Sequence, residues 1–173
     1  VGASTSFLRL SVDLLRSAPK SSSGMFSSTS GSVQPLEQPI DSVILAREIE
    51  LLPDDAILTK KGNFSVFCIR SHDAPSVLQE IGRLRELTFR SVGEGTGHAA
   101  DLDDYDDHYH QIFIWDEKAR AIAGGYRVGV VPEILQKMGR KGMYAASQFA
   151  IRPSFYKAIG PAAELGRSFI PPE

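Results

Sequence analysis

Two strand-like runs joined by a short charged segment place the strongest constraint on the fold of this chain. One run covers residues 111–115 (QIFIW) and the other residues 121–131 (AIAGGYRVGVV), with DEKAR between them. Both runs are rich in β-branched and aromatic residues, and five residues are enough to reverse the chain. The pattern therefore predicts an antiparallel hairpin, which needs further strands and covering helices to form a stable sheet.

The region before the hairpin predicts a strand and then a helix. Residues 60–63 (KKGN) are interpreted as a turn that leads into a strand at 64–70, which is rich in Phe, Val and Ile. Apolar residues at helical spacing predict a helix over 76–90. Ser76 followed three residues later by Gln79 matches a capping box, which places the start of this helix.

The remaining segments add further elements to the predicted sheet. Residues 42–50 fit a helix or a strand. Pro132 opens a short helix, residues 143–151 are predicted to be strand or irregular, and residues 163–170 (AELGRSFI) are interpreted as a last strand. The order of strands and helices indicates a mixed α/β sheet with helices on its faces.

Composition divides the chain into three predicted parts. Residues 19–35 are dominated by Ser, Gly and Pro, so we predict a flexible tail or inter-domain linker over residues 1–35. A lead-in segment follows over 36–63, and residues 64–173 form the beginning of a globular domain. The chain starts without a methionine and ends directly after a strand-like run, so we interpret it as a piece of a longer protein.

Charge and cysteine content limit the classes of function. The net charge of −2 gives no general basic field, so we expect no nucleic-acid partner. The single cysteine excludes a disulfide within the chain and suits a reducing compartment. No run approaches the ~20 apolar residues of a membrane span. We expect a cytoplasmic protein, or one that is peripheral at the inner face of the membrane.

Charged and aromatic residues recur in an order that suits one shared pocket. Arg85 and Phe89 are four residues apart, so they lie on one face of the predicted helix. The acidic loop after the helix brings Asp103 and Asp106, and the second hairpin strand brings Arg127. For Arg85 two interpretations stay open: it holds a carrier phosphate or a substrate carboxylate, or it forms an internal ion pair with Asp103 or Asp106.

The last predicted strand carries the main catalytic candidates. A carboxylate that takes the proton of an attacking amine is a general base, and Glu164 is the candidate for that role. The alternative is that Glu164 pairs structurally with Arg167 or Arg127. In a regular strand Glu164 and Arg167 face opposite ways, so they converge only if the strand bulges, which Gly166 makes plausible. The acidic stretch lacks the order of a calcium loop, and we expect no metal.

Taken together, these motifs resemble one known group of enzymes. The runs EIGRLRELTFRSVGEGT, DLDDYDDHYHQIFIWD, GGYR and ELGRSFIPPE resemble the hemolysin-like acyltransferases, which include ornithine-lipid and glycine-lipid N-acyltransferases within the GNAT superfamily. They are also similar to the acyl-homoserine-lactone synthases, although Gly95 stands where those enzymes carry a tryptophan. The resemblance covers residues 64–173. It implies a GNAT-like, mostly antiparallel sheet that is truncated after the fourth strand.

The resemblance also implies an activity and a set of partners. It implies transfer of a fatty acyl group from acyl carrier protein or CoA to an amine-bearing lipid precursor, with no permanently bound cofactor. The membrane surface and a second, fused acyltransferase domain are further partners that it suggests. Two alternatives stay open, namely a non-catalytic domain that docks a carrier protein or membrane enzyme, and a signal synthase that uses S-adenosylmethionine.

The resemblance assigns roles to seven residues. It implies catalytic roles for Glu164 and Arg167. It implies that the remaining five bind substrate: Arg85, Phe89, Asp103, Asp106 and Arg127.

Overall fold

The computed structural model describes residues 33–172, and these belong to one compact unit. The predicted tail over 1–35 therefore lies outside the described residues except for its last three positions. The helices are α1 Ser42–Glu50, α2 Pro75–Ser91, α3 Val131–Met138, α4 Tyr144–Gln148 and α5 Pro153–Ile159. The strands are β1 Ile57–Lys61, β2 Phe64–Ile69, β3 His110–Asp116, β4 Ala121–Val130 and β5 Ala163–Phe169. Short 3-10 turns occupy Asp54–Ala56 and Gly139–Gly142.

The five strands form one open sheet in the order β1-β2-β3-β4-β5, and each neighbouring pair is antiparallel. The mixed α/β fold and the central hairpin are thus confirmed. The count of four strands is wrong, because Lys60 and Lys61 lie in β1 and the turn is confined to Gly62 and Asn63. β1 is an edge strand whose side chains are mostly exposed, so it lacks the apolar alternation by which strands are found in a sequence.

One face of the sheet carries the main apolar core. The rings of Phe67 and Phe113 stack there with centroids 5.3 Å apart, beside the buried Trp115. Side chains from α1 and α2 cover this face, among them Leu45, Ile49, Val77, Ile81 and Leu84. The predicted lead-in segment therefore packs as part of the same unit, and the ambiguous residues 42–50 are helical because their buried positions recur at helical spacing.

The start of α2 differs from the capping box inferred from Ser76 and Gln79. The helix begins at Pro75, and no side chain of its own caps it. Instead the carboxylate of Glu48 on α1 accepts from the backbone N–H groups of Ser76 at 3.1 Å and Val77 at 3.0 Å. Free N–H groups at a helix start favour a nearby anion, and here another helix supplies it.

A second apolar cluster joins the connection between β4 and β5 to the residue before β3. Val131, Ile134 and Met143 of the connection and Tyr109 before β3 are its buried members. Residues 143–151 were expected to be strand or irregular, but Tyr144–Gln148 forms helix α4 because Tyr144 and Ala146 pack against this cluster. Within residues 33–172, no helix combines the length and apolar character needed to cross a membrane.

Candidate active site

Arg85 lies at the centre of a buried ion-pair network. Its Nε lies 3.3 Å from Oδ2 of Asp101, and its Nη1 donates to Oδ1 of Asp106 at 2.9 Å. The side chain is 0% exposed, so its guanidinium has no contact with solvent. Of the two interpretations of Arg85, the structure shows the internal ion pair with the acidic loop. Direct contact with a substrate would require Arg85 to leave these partners.

The acidic loop is held against α2 by backbone and side-chain contacts. The N–H of Asp101 donates to the carbonyl oxygen of Gly82 at 2.9 Å. A Cβ at Gly82 would lie only 2.5 Å from Cγ of Leu102, so glycine is needed for this close approach. Within the loop, the N–H of Asp103 donates to Oδ2 of Asp106 at 2.9 Å, which fixes the carboxylates that face the arginines.

Arg127 joins the network from strand β4. Its Nη1 lies 2.5 Å from Oδ1 of Asp103 and 3.2 Å from Oδ2 of Asp106. Burial alone would lower the pKa of Arg127, but the hydrogen bond to Asp103 and the charge of Asp106 raise it above its ordinary value. The guanidinium carbon also lies 5.2–5.6 Å from three ring centroids, those of Tyr105, Tyr109 and Tyr144. Charge pairing and cation–π contact therefore hold Arg127 in place.

A bulge in β5 brings Arg167 to the same network. Arg127 pairs with Gly166, whereas Gly125 pairs with Phe169, so β5 carries one residue more than β4 over this stretch. Arg167 adopts φ 53°, a left-handed conformation that costs a non-glycine residue about 1–3 kcal/mol. The bulge expected near Gly166 is thus present.

Ion pairs hold the strained Arg167 in position. Its Nε lies 3.1 Å from Oδ2 of Asp101, and its Nη2 lies 3.6 Å from Oδ2 of Asp103. The guanidinium carbon lies 5.4 Å from the ring centroid of Tyr144. These contacts complete a network of three guanidinium groups and three carboxylates.

Glu164 is held by neutral donors rather than by an arginine. The hydroxyl of Tyr109 donates to its Oε2 at 2.5 Å, and the backbone N–H of Ala145 donates to its Oε1 at 2.6 Å. The N–H of Tyr144 donates in turn to the Tyr109 hydroxyl at 2.9 Å. Burial and the Glu164 carboxylate raise the pKa of Tyr109, so its hydroxyl remains a donor. The alternative of a structural pair between Glu164 and Arg167 or Arg127 is not what the structure shows.

A small cavity lies between Glu164 and the arginine network. It has a volume of about 30 Å³ and is lined by Tyr109, Arg127, Tyr144, Glu164, Leu165, Gly166 and Arg167. This space is enough for about one or two water molecules. Glu164 and Arg167 both border it, so the β5 bulge brings the two catalytic candidates to one site.

The structure therefore brings six of the seven predicted residues together. Arg85, Asp103, Asp106, Arg127 and Arg167 form the network, and Glu164 joins it through Tyr109. Phe89 is half-buried one helical turn beyond Arg85 and is not one of the charged members of the network.

Sequence reasoning missed three contributors to this site. Asp101 was seen only as part of an acidic stretch, although it pairs with both Arg85 and Arg167. Tyr109 and Tyr144 carried no motif. For Tyr109, one sequence feature could have indicated a role in the site. The residue lies directly before the first hairpin strand, at the end of the sheet where Arg127 lies on the neighbouring strand.

The five-stranded antiparallel sheet with flanking helices is the architecture of a GNAT-type domain. A family model described as "Acetyltransferase (GNAT) domain" matches residues 84–173, which is about half of the chain. The chain belongs to this family. Its catalytic candidates and the whole ion-pair network lie within the matched residues.

Two curated relatives carry the name glycine N(alpha)-acyltransferase. The chain is 39% identical over 139 residues to the one from Phocaeicola vulgatus, covering 76% of this chain and 42% of that protein. It is 36% identical over 139 residues to the one from Bacteroides thetaiotaomicron, covering 77% of this chain and 41% of that protein. The chain thus spans about two-fifths of the length of these relatives. A search of solved structures gives no significant match.

Proposed function

We propose that this protein transfers a fatty acyl group from a thioester to an amine, with Glu164 as the general base. The observation that carries the proposal is the placement of Glu164. Its carboxylate borders a water-sized cavity at the β5 bulge, and donors on both oxygens fix its orientation. Family membership and the names of both relatives support the same class of reaction.

The proposed reaction needs one base and one site for the developing oxyanion. The amine nitrogen attacks the carbonyl carbon of the thioester, the carbon–sulfur bond breaks, and an amide and a free thiol are formed. The amine loses a proton to Glu164, directly or through a water in the cavity, and that proton ends on the departing sulfur. A backbone N–H released from the ladder at the β5 bulge is our candidate donor to the oxyanion.

The hydrogen bonds to Glu164 leave it able to act as a base. A carboxylate offers about four lone-pair positions, and Tyr109 and Ala145 occupy two of them. The remaining positions are available to a water or to the amine. In this proposal the ion-pair network has a positioning role. It holds the β5 bulge and the two arginines that line the cavity, Arg127 and Arg167. The other members of the network are Arg85, Asp103 and Asp106.

The identity of the thioester donor and of the amine acceptor is proposed from the family resemblance and from the relatives' names. We propose acyl carrier protein or CoA as the donor and an amine-bearing precursor of a membrane lipid as the acceptor. The relatives' names favour the α-amine of glycine over the ornithine-lipid specificity also suggested by the motifs.

Replacing Glu164 tests the proposal. We expect Glu164→Gln to lower kcat by about 10²–10⁴-fold with little change in KM, because it removes only the proton acceptor. Tyr109→Phe removes one hydrogen bond to the carboxylate, and we expect a smaller loss of about tenfold. Release of free thiol from an acyl thioester, with glycine as acceptor, measures both effects.

Glu50→Gln is the matched control, because Glu50 is an exposed glutamate at the end of α1. It should leave the rate unchanged. Full activity of Glu164→Gln in a folded protein would contradict the assignment. It would favour another general base or, if the activity were measured in the full-length protein, a docking role for this domain.

A further inference from the structure

The connection between β4 and β5 is unusually long for two adjacent antiparallel strands. Such neighbours are commonly joined by hairpin loops of about 2–5 residues. Here residues 131–162 intervene, and they form helices α3, α4 and α5 with a 3-10 turn. We call this segment the β4–β5 excursion. Long connections in compact domains commonly carry a function, so its surface chemistry is informative.

The β4–β5 excursion is strongly basic, although the chain as a whole carries a net charge of −2. It has one carboxylate, Glu133, whose Oε2 lies 3.0 Å from Nη2 of Arg70, the residue directly after β2. Against it stand five exposed cations, Lys137, Arg140, Lys141, Arg152 and Lys157. Within residues 33–172, none of these five forms an ion pair. Their charge is therefore directed to solvent.

Large apolar side chains are exposed among these cations. Phe149 is 60% exposed, Phe155 is 40% exposed and Met138 is 39% exposed. A surface that only has to remain hydrated needs charged side chains but no exposed aromatic ones. The combination of cations with exposed Phe and Met is typical of surfaces that lie in a membrane interface.

One apolar cluster supports the elements that present these residues. Ile134 of α3, Met143, Tyr144 of α4 and Tyr156 and Ile159 of α5 all belong to it or pack against it. The helices of the excursion therefore share one apolar base, whereas its cations and Phe149, Phe155 and Met138 are exposed. Single substitutions at those exposed positions are expected to leave the fold intact.

We propose that the β4–β5 excursion docks the protein on an anionic lipid bilayer. The cations meet the anionic headgroups, and Phe149, Phe155 and Met138 enter the interface. This inference rests on the proposed function, because an acylated amine is an apolar product that a bilayer accepts. An acidic carrier protein would match the positive charge, but the exposed aromatic side chains favour the bilayer over a polar protein surface.

The test is binding of the 173-residue protein to vesicles, followed by flotation. We expect binding to phosphatidylcholine vesicles that contain phosphatidylglycerol and weak binding to phosphatidylcholine alone. The double variant Arg140→Gln/Lys141→Gln should bind about 25-fold more weakly, at about fivefold for each cation near the surface. Phe149→Ser should weaken binding by about tenfold at unchanged charge.

Lys60→Gln/Lys61→Gln is the matched control, since it removes the same charge from exposed positions on the edge strand β1. It should bind vesicles as the unmodified protein does. The proposal would be overturned if the two double variants weakened vesicle binding equally. It would also be overturned if the protein bound equally to vesicles with and without phosphatidylglycerol. Binding of purified acyl carrier protein that is lost in Arg140→Gln/Lys141→Gln, without vesicle binding, would also overturn it.

Vesicle binding does not require acyl transfer, so the two proposals fail separately. Glu164→Gln should retain vesicle binding while it loses transfer. Loss of vesicle binding in Phe149→Ser should leave transfer between water-soluble substrates unchanged. Loss of transfer between soluble substrates in Phe149→Ser would place the excursion in the active site and would contradict docking.

Discussion

Replacement of Asp106 by asparagine is the most direct test of the buried network. The Asp106 carboxylate accepts from Nη1 of Arg85 at 2.9 Å and from Nε2 of Gln111 at 2.8 Å. It also lies 3.2 Å from Nη1 of Arg127. Asp106→Asn removes a charge and turns an NH₂ group toward groups that are themselves donors. We therefore expect a large loss of stability with little change in side-chain shape.

The magnitude follows from the charge balance of the network. Three guanidinium groups face three carboxylates, so the variant leaves one positive charge uncompensated at a site that is almost fully buried. Breaking a buried ion pair by removal of one partner costs roughly 3–5 kcal/mol. Arg85 keeps Asp101 and Arg127 keeps Asp103, so we expect the lower end, about 3 kcal/mol of unfolding free energy.

Urea unfolding followed by the fluorescence of Trp115, which is buried in the core, measures this loss. Asp104→Asn is the control, because Asp104 is an exposed residue of the same acidic loop, and it should change the unfolding free energy by less than ~0.5 kcal/mol. Similar effects of the two variants would refute the view that Asp106 is the shared acceptor of two buried arginines.

Two further predictions concern residues that shape the site from a distance. Burial alone would raise the pKa of Glu86, but hydrogen bonds from Arg90, Thr96 and Gly97 lower it to about 2. The contribution of this carboxylate to stability is therefore present above the unfolded pKa of ~4.3. It is lost as the pH falls toward 2. Urea titrations should therefore show that Glu86→Gln is less stable near neutral pH and that its difference from the unmodified protein shrinks in acid; a constant difference would contradict this sign. A Cβ at Gly129 would lie 2.6 Å from Cζ of Tyr109, so Gly129→Ala should cost about 1–3 kcal/mol and lower kcat by displacing the Tyr109 hydroxyl. Gly166→Ala is the control for stability, because a Cβ at Gly166 would have no atom within 4 Å. Equal unfolding free energies of the two variants would show that the Tyr109 ring is free to move.

Much of the fold was predictable because one-sided burial leaves a periodic pattern in neighbouring residues. The hairpin at β3 and β4 and the apolar stripe of α2 were visible in this way, since each buries one face against the same core. Strand β1 was missed because it lies at the sheet edge with little burial. The start of α2 was assigned to the wrong cap because the Glu48 carboxylate comes from another helix.

The candidate site was predictable as a set of residues but not as a set of contacts. The order of Arg85, Asp106, Arg127 and Glu164 along the chain was enough to suggest one pocket through a family resemblance. Sequence spacing did not show that Tyr109 would hold Glu164, because 55 positions separate the two residues. That contact depends on where the acidic loop ends and on how β4 runs beside β5.

The sequence by itself determined strands β2 to β5, helix α2 and the acidic and basic residues available to a site. Only the tertiary structure decided how those residues pair, because their partners come from α2, the acidic loop, β4 and β5. The β5 bulge is decisive, since it turns Arg167 and Glu164 toward one cavity although regular strand geometry would separate them. Local patterns record which face of an element is buried, whereas a bulge and its ion pairs depend on strands that meet only after the chain has folded.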